Sequence, residues 1–139
     1  MLTGEFYHNI DEKGRMFFPS KLRDDLGERF YVTRWQEDCL AVFSAEEFTA
    51  LYNKIKQLPI GRTRDVQLYL FSKAAEVETD KQGRILIPAN LREAAKITKD
   101  VAVIGVMSRA EIWDRERWQK KSESLQSEMF DETLLELGI

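Results

Sequence analysis

Cysteine and histidine occur once each in 139 residues, as Cys39 and His8. That scarcity removes whole classes of chemistry. A single cysteine cannot close an internal disulfide and fits a reducing compartment, where it serves as a small buried apolar residue rather than a nucleophile. One histidine and one cysteine cannot furnish a structural zinc site, which draws most of its ligands from those two types. Seven glycines are scattered, with no phosphate-cradling Gly-rich loop among them. The carboxylate pairs Asp24-Asp25 and Glu46-Glu47 fall where a solvated helix face or cap would put them, and His8 is expected to be structural, with a backbone-phosphate contact as a secondary role. No enzyme activity, cofactor or metal is therefore expected. No apolar run approaches the ~20 residues a membrane helix needs. The opening Met1-Leu2-Thr3-Gly4-Glu5 lacks a basic segment followed by an apolar stretch. A soluble, intracellular chain is expected.

Charge of one sign is also not in large excess. The formal net charge is −3, which by itself argues against a nucleic-acid partner. Its distribution argues differently. Residues 110–139 set eight acids against Arg115, Arg117, Lys120 and Lys121, which leaves the rest of the chain at +1. Between positions 53 and 73, Lys54, Lys56, Arg62, Arg64 and Lys73 face Asp65 alone. A basic middle and an acidic tail are compatible with a local anion-binding face. The chain is 43% hydrophobic, enough to bury a core as one compact body or as two small units sharing it.

What the chain does have, it has twice. Asp11-Glu12-Lys13-Gly14-Arg15-Met16-Phe17-Phe18-Pro19 returns as Asp80-Lys81-Gln82-Gly83-Arg84-Ile85-Leu86-Ile87-Pro88, at a constant offset of 69. The same offset relates Leu22 and Arg23 to Leu91 and Arg92, and Val32 to Val101. With one extra residue, Phe43-Ser44 matches Trp113-Asp114 and Phe48 matches Trp118. Internal repetition decides architecture before any local pattern does. The boundaries read as 5–50 for a first unit, 51–73 for a helical connection, 74–119 for a second unit and 120–139 for a C-terminal helix.

Residues 5–10 and 15–18 read as strands joined by the turn chemistry of Asp11-Glu12-Lys13-Gly14, and so as a hairpin with a charged tip. Pro19 ends the strand and pre-sets a helix, with Ser20 as the capping oxygen and Gly27 placed to stop it in the left-handed conformation. Strands over 29–35 and 39–43 flank Gln36-Glu37-Asp38. Ser44-Ala45-Glu46-Glu47 is a capping box opening a helix with Phe48, Leu51, Tyr52 and Ile55 on one face. A helix over 62–72 follows. The second unit repeats the program: strands 75–79 and 84–87, helix 90–96, strands 101–106 and 111–113, and a C-terminal helix capped by Asp114. The Ile85-Leu86-Ile87 run lacks alternation and predicts a strand covered on both faces. One unit cannot cover it, so two interlocked units are expected. The fold class is α+β, mainly β.

The repeated Asp-x-x-Gly-Arg carries the functional signal. Asp and Gly are enough for a tight turn, and a turn needs no arginine at that position. A guanidinium is a planar fork suited to phosphate oxygens or to the Hoogsteen edge of guanine. A neighbouring carboxylate can hold that fork in one rotamer and lower the entropy lost on binding. The candidate DNA-binding residues are therefore Asp11, Lys13, Gly14 and Arg15 on the first tip, and Asp80, Lys81, Gly83 and Arg84 on the second. Phe17, Phe18 and Pro19 are expected to anchor the first tip to the core.

On these residues the chain resembles the MraZ family of bacterial transcription regulators, whose chains hold two SpoVT-AbrB-like units. The resemblance runs from Gly4-Glu5-Phe6 through both turn motifs and Pro19-Ser20-Lys21-Leu22-Arg23 to Val103-Ile104-Gly105-Val106 and Glu111-Ile112-Trp113-Asp114. It implies two swapped-hairpin units interlocked into one small barrel, flanked by helices, and a ring-shaped homo-oligomer. It implies binding of double-stranded DNA at short direct repeats upstream of the protein's own gene. Repression of that gene and of the division and cell wall cluster behind it would follow, in a cytoplasmic, nucleoid-associated protein. The family's DNA-binding motif carries over onto Asp11 and Arg15, and onto Asp80 and Arg84. Members often have glycine near Lys96, where this chain departs from the pattern. The competing reading is a ring-shaped interaction module that recruits a protein partner through its acidic C-terminal helix, residues 123–136.

Overall fold

The computed structural model describes all 139 residues. In chain order the elements are β1 (Glu5–Asn9), β2 (Arg15–Phe17), α1 (Ser20–Leu26), β3 (Arg29–Arg34), β4 (Leu40–Ser44), α2 (Ala45–Lys56) and α3 (Ile60–Phe71). The program then repeats as β5 (Ala75–Glu78), β6 (Arg84–Leu86), α4 (Ala89–Ala94), β7 (Asp100–Val106) and β8 (Arg109–Asp114), with α5 (Arg115–Glu123) and α6 (Glu128–Glu136) at the end.

The two halves exchange strands. A six-stranded antiparallel sheet runs β1-β7-β8-β4-β3-β5, so β1 lies on the second half's strands and β5 on the first half's. β2 and β6 pair only with each other, as a two-stranded antiparallel ribbon. The fold is α+β around a sheet-built core, with interlocked units. One local expectation is corrected by it: β1 and β2 are not a hairpin ladder, and only the turn between them is hairpin-like. A lone two-stranded hairpin is marginal in water. Pairing across the halves instead buries the inward faces of both strands.

The exchange has a centre. Met16 lies opposite Ile85 in the ribbon, and Ala41 opposite Glu111 in the sheet. Each pair consists of repeat-equivalent positions, so an approximate two-fold axis passes through both. Sheet and ribbon enclose one core in which Met16, Phe18, Phe30, Ile85, Ile87 and Leu91 are almost wholly buried. Ser44 Oγ accepts the Glu47 N–H at 3.1 Å and starts α2. Phe48 of α2 then stacks on Tyr31 at 4.5 Å and meets Phe71 of α3 at 4.9 Å. Trp118 of α5 covers the second half in the same way, 5.5 Å from Trp113.

Several local expectations differ from what folds. Ile85 and Ile87 are buried while Leu86 is exposed, so the apolar run of β6 is covered on one face only. Phe18 anchors the first tip, and Phe17 points outward instead. The N-cap of α1 is Pro19, whose carbonyl accepts from Leu22 and Arg23, and the Ser20 side chain caps nothing. Gly27 stops α1 at φ 88 and ψ −178, a glycine-only region rather than the left-handed helical one. Lys96 takes φ 55 at the end of the second short helix, with its ammonium 3.2 Å from Asp38. The C-terminal helix is two helices. Ser122 and Ser124 return their hydroxyls to the carbonyls of Gln119 and Lys121, which weakens the helical ladder, and Ser127 caps a fresh helix at Glu128, its Oγ accepting the Phe130 N–H.

Cys39 is buried on the sheet face opposite the main core, beside Glu111. Glu111 Oε2 accepts from Arg109 at 2.8–2.9 Å, and its Oε1 accepts from Trp113 Nε1 at 3.0 Å, so this buried carboxylate is paired and satisfied. Burial first, and the Glu111 carboxylate next, push the Cys39 thiol far above its ordinary range. A thiolate is the reactive form. Cys39 should therefore resist a disulfide-exchange reagent in the native protein at neutral pH and react fully after denaturation. Fast native labelling would contradict its placement.

Candidate nucleic-acid interface

Each repeated motif closes a turn through its aspartate. Asp11 Oδ1 accepts the backbone N–H groups of Lys13 and Arg15, both at 2.9 Å, and Oδ2 accepts from Arg15 Nε at 2.9 Å. Gly14 donates to the Asp11 carbonyl at 3.0 Å and holds φ +88, a conformation that disfavours any side chain. The second turn reproduces the first. Asp80 Oδ1 accepts from Gln82 and Arg84 at 2.9 Å, Oδ2 accepts from Arg84 Nε at 2.9 Å, and Gly83 stands at φ +82. In both arginines only Nε is engaged within the chain. The two Nη groups keep their hydrogen-bonding capacity, and the aspartate fixes where they point.

The turns are also locked to each other. Phe18 N–H donates to the Gly83 carbonyl at 3.0 Å, and Ile87 N–H donates to the Gly14 carbonyl at 2.8 Å. A Cβ on Gly14 would lie 2.8 Å from the Ile87 carbonyl and 2.9 Å from Arg92 Nε; on Gly83 it would lie 3.2 Å from an Arg23 Nη. Arg92 of the second half thus lies against the first turn, and Arg23 of the first half against the second. Arg92 Nε donates to the Ile87 carbonyl at 3.0 Å, whereas Arg23 Nε is buried without a partner. Neither arginine was singled out from the sequence as a site residue. The available signal was their match in the repeat, Leu22-Arg23 against Leu91-Arg92. What hid their role is the exchange: each serves the turn of the other half.

The ribbon register brings the two motif arginines together. Arg15 lies opposite Leu86 and Phe17 opposite Arg84, with Met16 and Ile85 turned into the core between them. Side chains alternate along a strand, so Arg15, Phe17, Arg84 and Leu86 share the outer face of the ribbon. Arg15 and Arg84 are diagonal neighbours there, about 7–8 Å apart at the backbone. Their side chains are 34% and 24% exposed. Lys13 and Lys81 are exposed on the turns at the ribbon's two ends. The two tips read separately in the sequence are the ends of one short surface. His8 lies elsewhere, half-buried on edge strand β1 beside the core-packed Phe6, and burial lowers its pKa.

The turn carboxyls respond to acid with a known sign. Asp11 is held below the ordinary carboxylate range first by the Arg15 backbone N–H, and further by the Arg15 side chain and the Lys13 N–H, against an opposing desolvation. Asp80 is held down in the same way by Arg84 and Gln82. A pKa lower in the folded chain than in the unfolded one stabilises the fold above the unfolded value of about 3.9, and that contribution is lost as pH falls through the folded value. The turns' contribution to the melting temperature should be constant above pH ~5 and drop away below ~4, beneath an earlier decline that begins near pH ~6.5, where the unfolded chain protonates His8 more readily than the folded one. In an Asp11→Asn/Asp80→Asn variant the drop should be shallower; an equal drop would assign the acid sensitivity to other carboxylates.

A family model described as "MraZ protein, putative antitoxin-like" matches residues 1–65 and 70–136. The chain belongs to the MraZ family. A protein of Caldicellulosiruptor saccharolyticus named "Transcriptional regulator MraZ" is 47% identical over 144 aligned positions, covering 100% of both chains. The like-named proteins of Heliobacterium modesticaldum and Acetivibrio thermocellus are 51% identical over 88% of this chain and 87% of the relative, and 46% identical over 100% of both. The two segments matched by the MraZ model each contain one Asp-x-x-Gly-Arg turn. In this MraZ-family chain the strand exchange therefore brings both turns onto a single ribbon.

Proposed function

We propose that this chain regulates transcription, as its relatives are named for doing, by sequence-specific binding of double-stranded DNA at the outer face of the β2–β6 ribbon. The observation that carries the reading is the pair of arginines pinned by Asp11 and Asp80 with their Nη groups free on one face. A held fork loses little rotamer freedom on binding and matches guanine or phosphate oxygens in two contacts. Lys13 and Lys81 add phosphate contacts from the ends, and Gly14 and Gly83 permit the turns. Arg23 and Arg92 add positive charge behind them.

In this reading residues 5–50 and 74–119 are SpoVT-AbrB-like units, 51–73 connects them and 120–139 is a helical tail. One ribbon of a −3 protomer offers few phosphate contacts. A ring-shaped homo-oligomer multiplies them through effective concentration, and evenly spaced direct repeats are what such an assembly would read. The site is the promoter of its own gene, with repression of that gene and the division and cell wall cluster, in a cytoplasmic, nucleoid-associated protein. No helix is long and apolar enough to cross a membrane.

The second reading rests on α6 and its C-cap Leu137, which expose Met129, Leu135 and Leu137 beside Glu128, Asp131, Glu132 and Glu136, a surface for a protein partner. A mobility-shift titration on the chain's own upstream DNA, with scrambled repeats as control, tests the first reading. A complex restricted to the native repeats is expected. Equal retention of both duplexes, or of neither, favours the second.

A further inference from the structure

Phe17 and Leu86 are unexplained by the fold. Both are large apolar side chains, 52% and 51% exposed, on a face whose other two members are arginines, each apolar residue lying opposite one of them. An arginine can cover the face of an aromatic ring beside it, and Arg84 lies directly across the ribbon from Phe17. Arg84 instead turns its Nε to Asp80, and the chain's cation–π contacts fall on Tyr69, Tyr52, Trp35 and Tyr7. Phe17 enters no aromatic pair either. The two apolar side chains are thus left open while the two guanidiniums are held.

From this juxtaposition we infer that Phe17 and Leu86 are specificity-determining residues that read the 5-methyl groups of thymines in the major groove. The inference rests on the DNA-binding reading and deepens it. The major groove admits a two-stranded ribbon, and an apolar side chain against the thymine methyl is one of its recognition modes. Arg15 and Phe17 are two residues apart on one strand, about 6.8 Å at the strand rise. That is about two steps of the 3.4 Å base stack. A held arginine and an open apolar side chain on the same strand therefore meet base pairs about two steps apart, one suited to guanine and one to thymine. The occupant is DNA rather than a second copy of the chain because the apolar pair is flanked by Arg15 and Arg84 on its own face and by Lys13 and Lys81 at its ends. A protein surface covering Phe17 and Leu86 would have to desolvate both guanidiniums as well.

The test replaces thymines of the native repeats with deoxyuridine, which removes the methyl and keeps every hydrogen-bonding group. Fluorescence anisotropy on the full-length protein should show about a fourfold loss of affinity per contacted methyl. Phe17→Ala and Leu86→Ala should each bind thymine and uracil duplexes more nearly alike, and the double variant should bind both equally. Met16 and Ile85 stay in place in these variants, so unchanged melting and oligomer mass are expected. Equal affinity of the unaltered protein for both duplexes overturns the inference; if Arg15→Ala still loses binding in that case, the DNA-binding reading survives it. A changed oligomer mass in Phe17→Ala overturns it by assigning the face to a second copy. No binding of any duplex at low salt overturns both.

Discussion

Arg15→Ala is expected to abolish binding to the protein's own upstream region at moderate salt while the protein's mass in solution stays unchanged. Its Nε engages only Asp11 of its own turn, so removing the side chain breaks no hydrogen bond between the halves. A bidentate contact to guanine discriminates by about 1–3 kcal/mol, or roughly 5- to 150-fold. A phosphate contact would instead flatten the log–log salt dependence by about 0.9 per site. In the proposed ring either loss is repeated on every protomer that touches the duplex, which would carry a modest single-site effect to near-complete loss. Arg84→Ala should lose less, because its turn has Gln82 where the first has Lys13. An equal or greater loss would reverse the ranking of the two turns. Retention of binding by Arg15→Ala would remove the ribbon face from the mechanism.

The second large effect is on folding. Ile85→Ala should destabilise the chain by about 2–5 kcal/mol, the range for deleting a fully buried aliphatic side chain. That is a large part of the ~5–15 kcal/mol a domain of this size has in hand. Ile85 is 1% exposed and lies on the approximate two-fold axis opposite Met16, with one side chain from each half. The cavity therefore opens under both halves at once, and denaturant unfolding should remain a single transition with a lowered midpoint. The neighbouring Leu86→Ala is exposed and should stay within about 0.5 kcal/mol of the parent. A two-step transition in Ile85→Ala, with one half surviving, would contradict a shared core.

The sequence made some of this legible and hid the rest for identifiable reasons. The turns were readable because Asp and Gly at that spacing have a local mechanism, and their hydrogen bonds proved the same in both copies. The Ser44 cap and the Phe48 face of α2 were readable for the same reason. Strand partners were not, because proximity in sequence favours β1 with β2 while burial favours β1 with β7. The exposure of Phe17 and Leu86 was also hidden: an apolar run looks covered on both faces until the register places Met16 and Ile85 inward. The interlock was foreseen from the repeat, yet its consequence was not. Arg15 and Arg84, 69 positions apart, come to share one face only through the ladder between β2 and β6.

The claim that this face meets DNA is tested most directly by a benzophenone photocrosslinker placed at position 17 in the full-length protein. Irradiation with the chain's own upstream duplex should yield a protein–DNA adduct that disappears when the repeats are scrambled. Crosslinking to a neighbouring protomer alone, with or without that duplex present, would contradict the account.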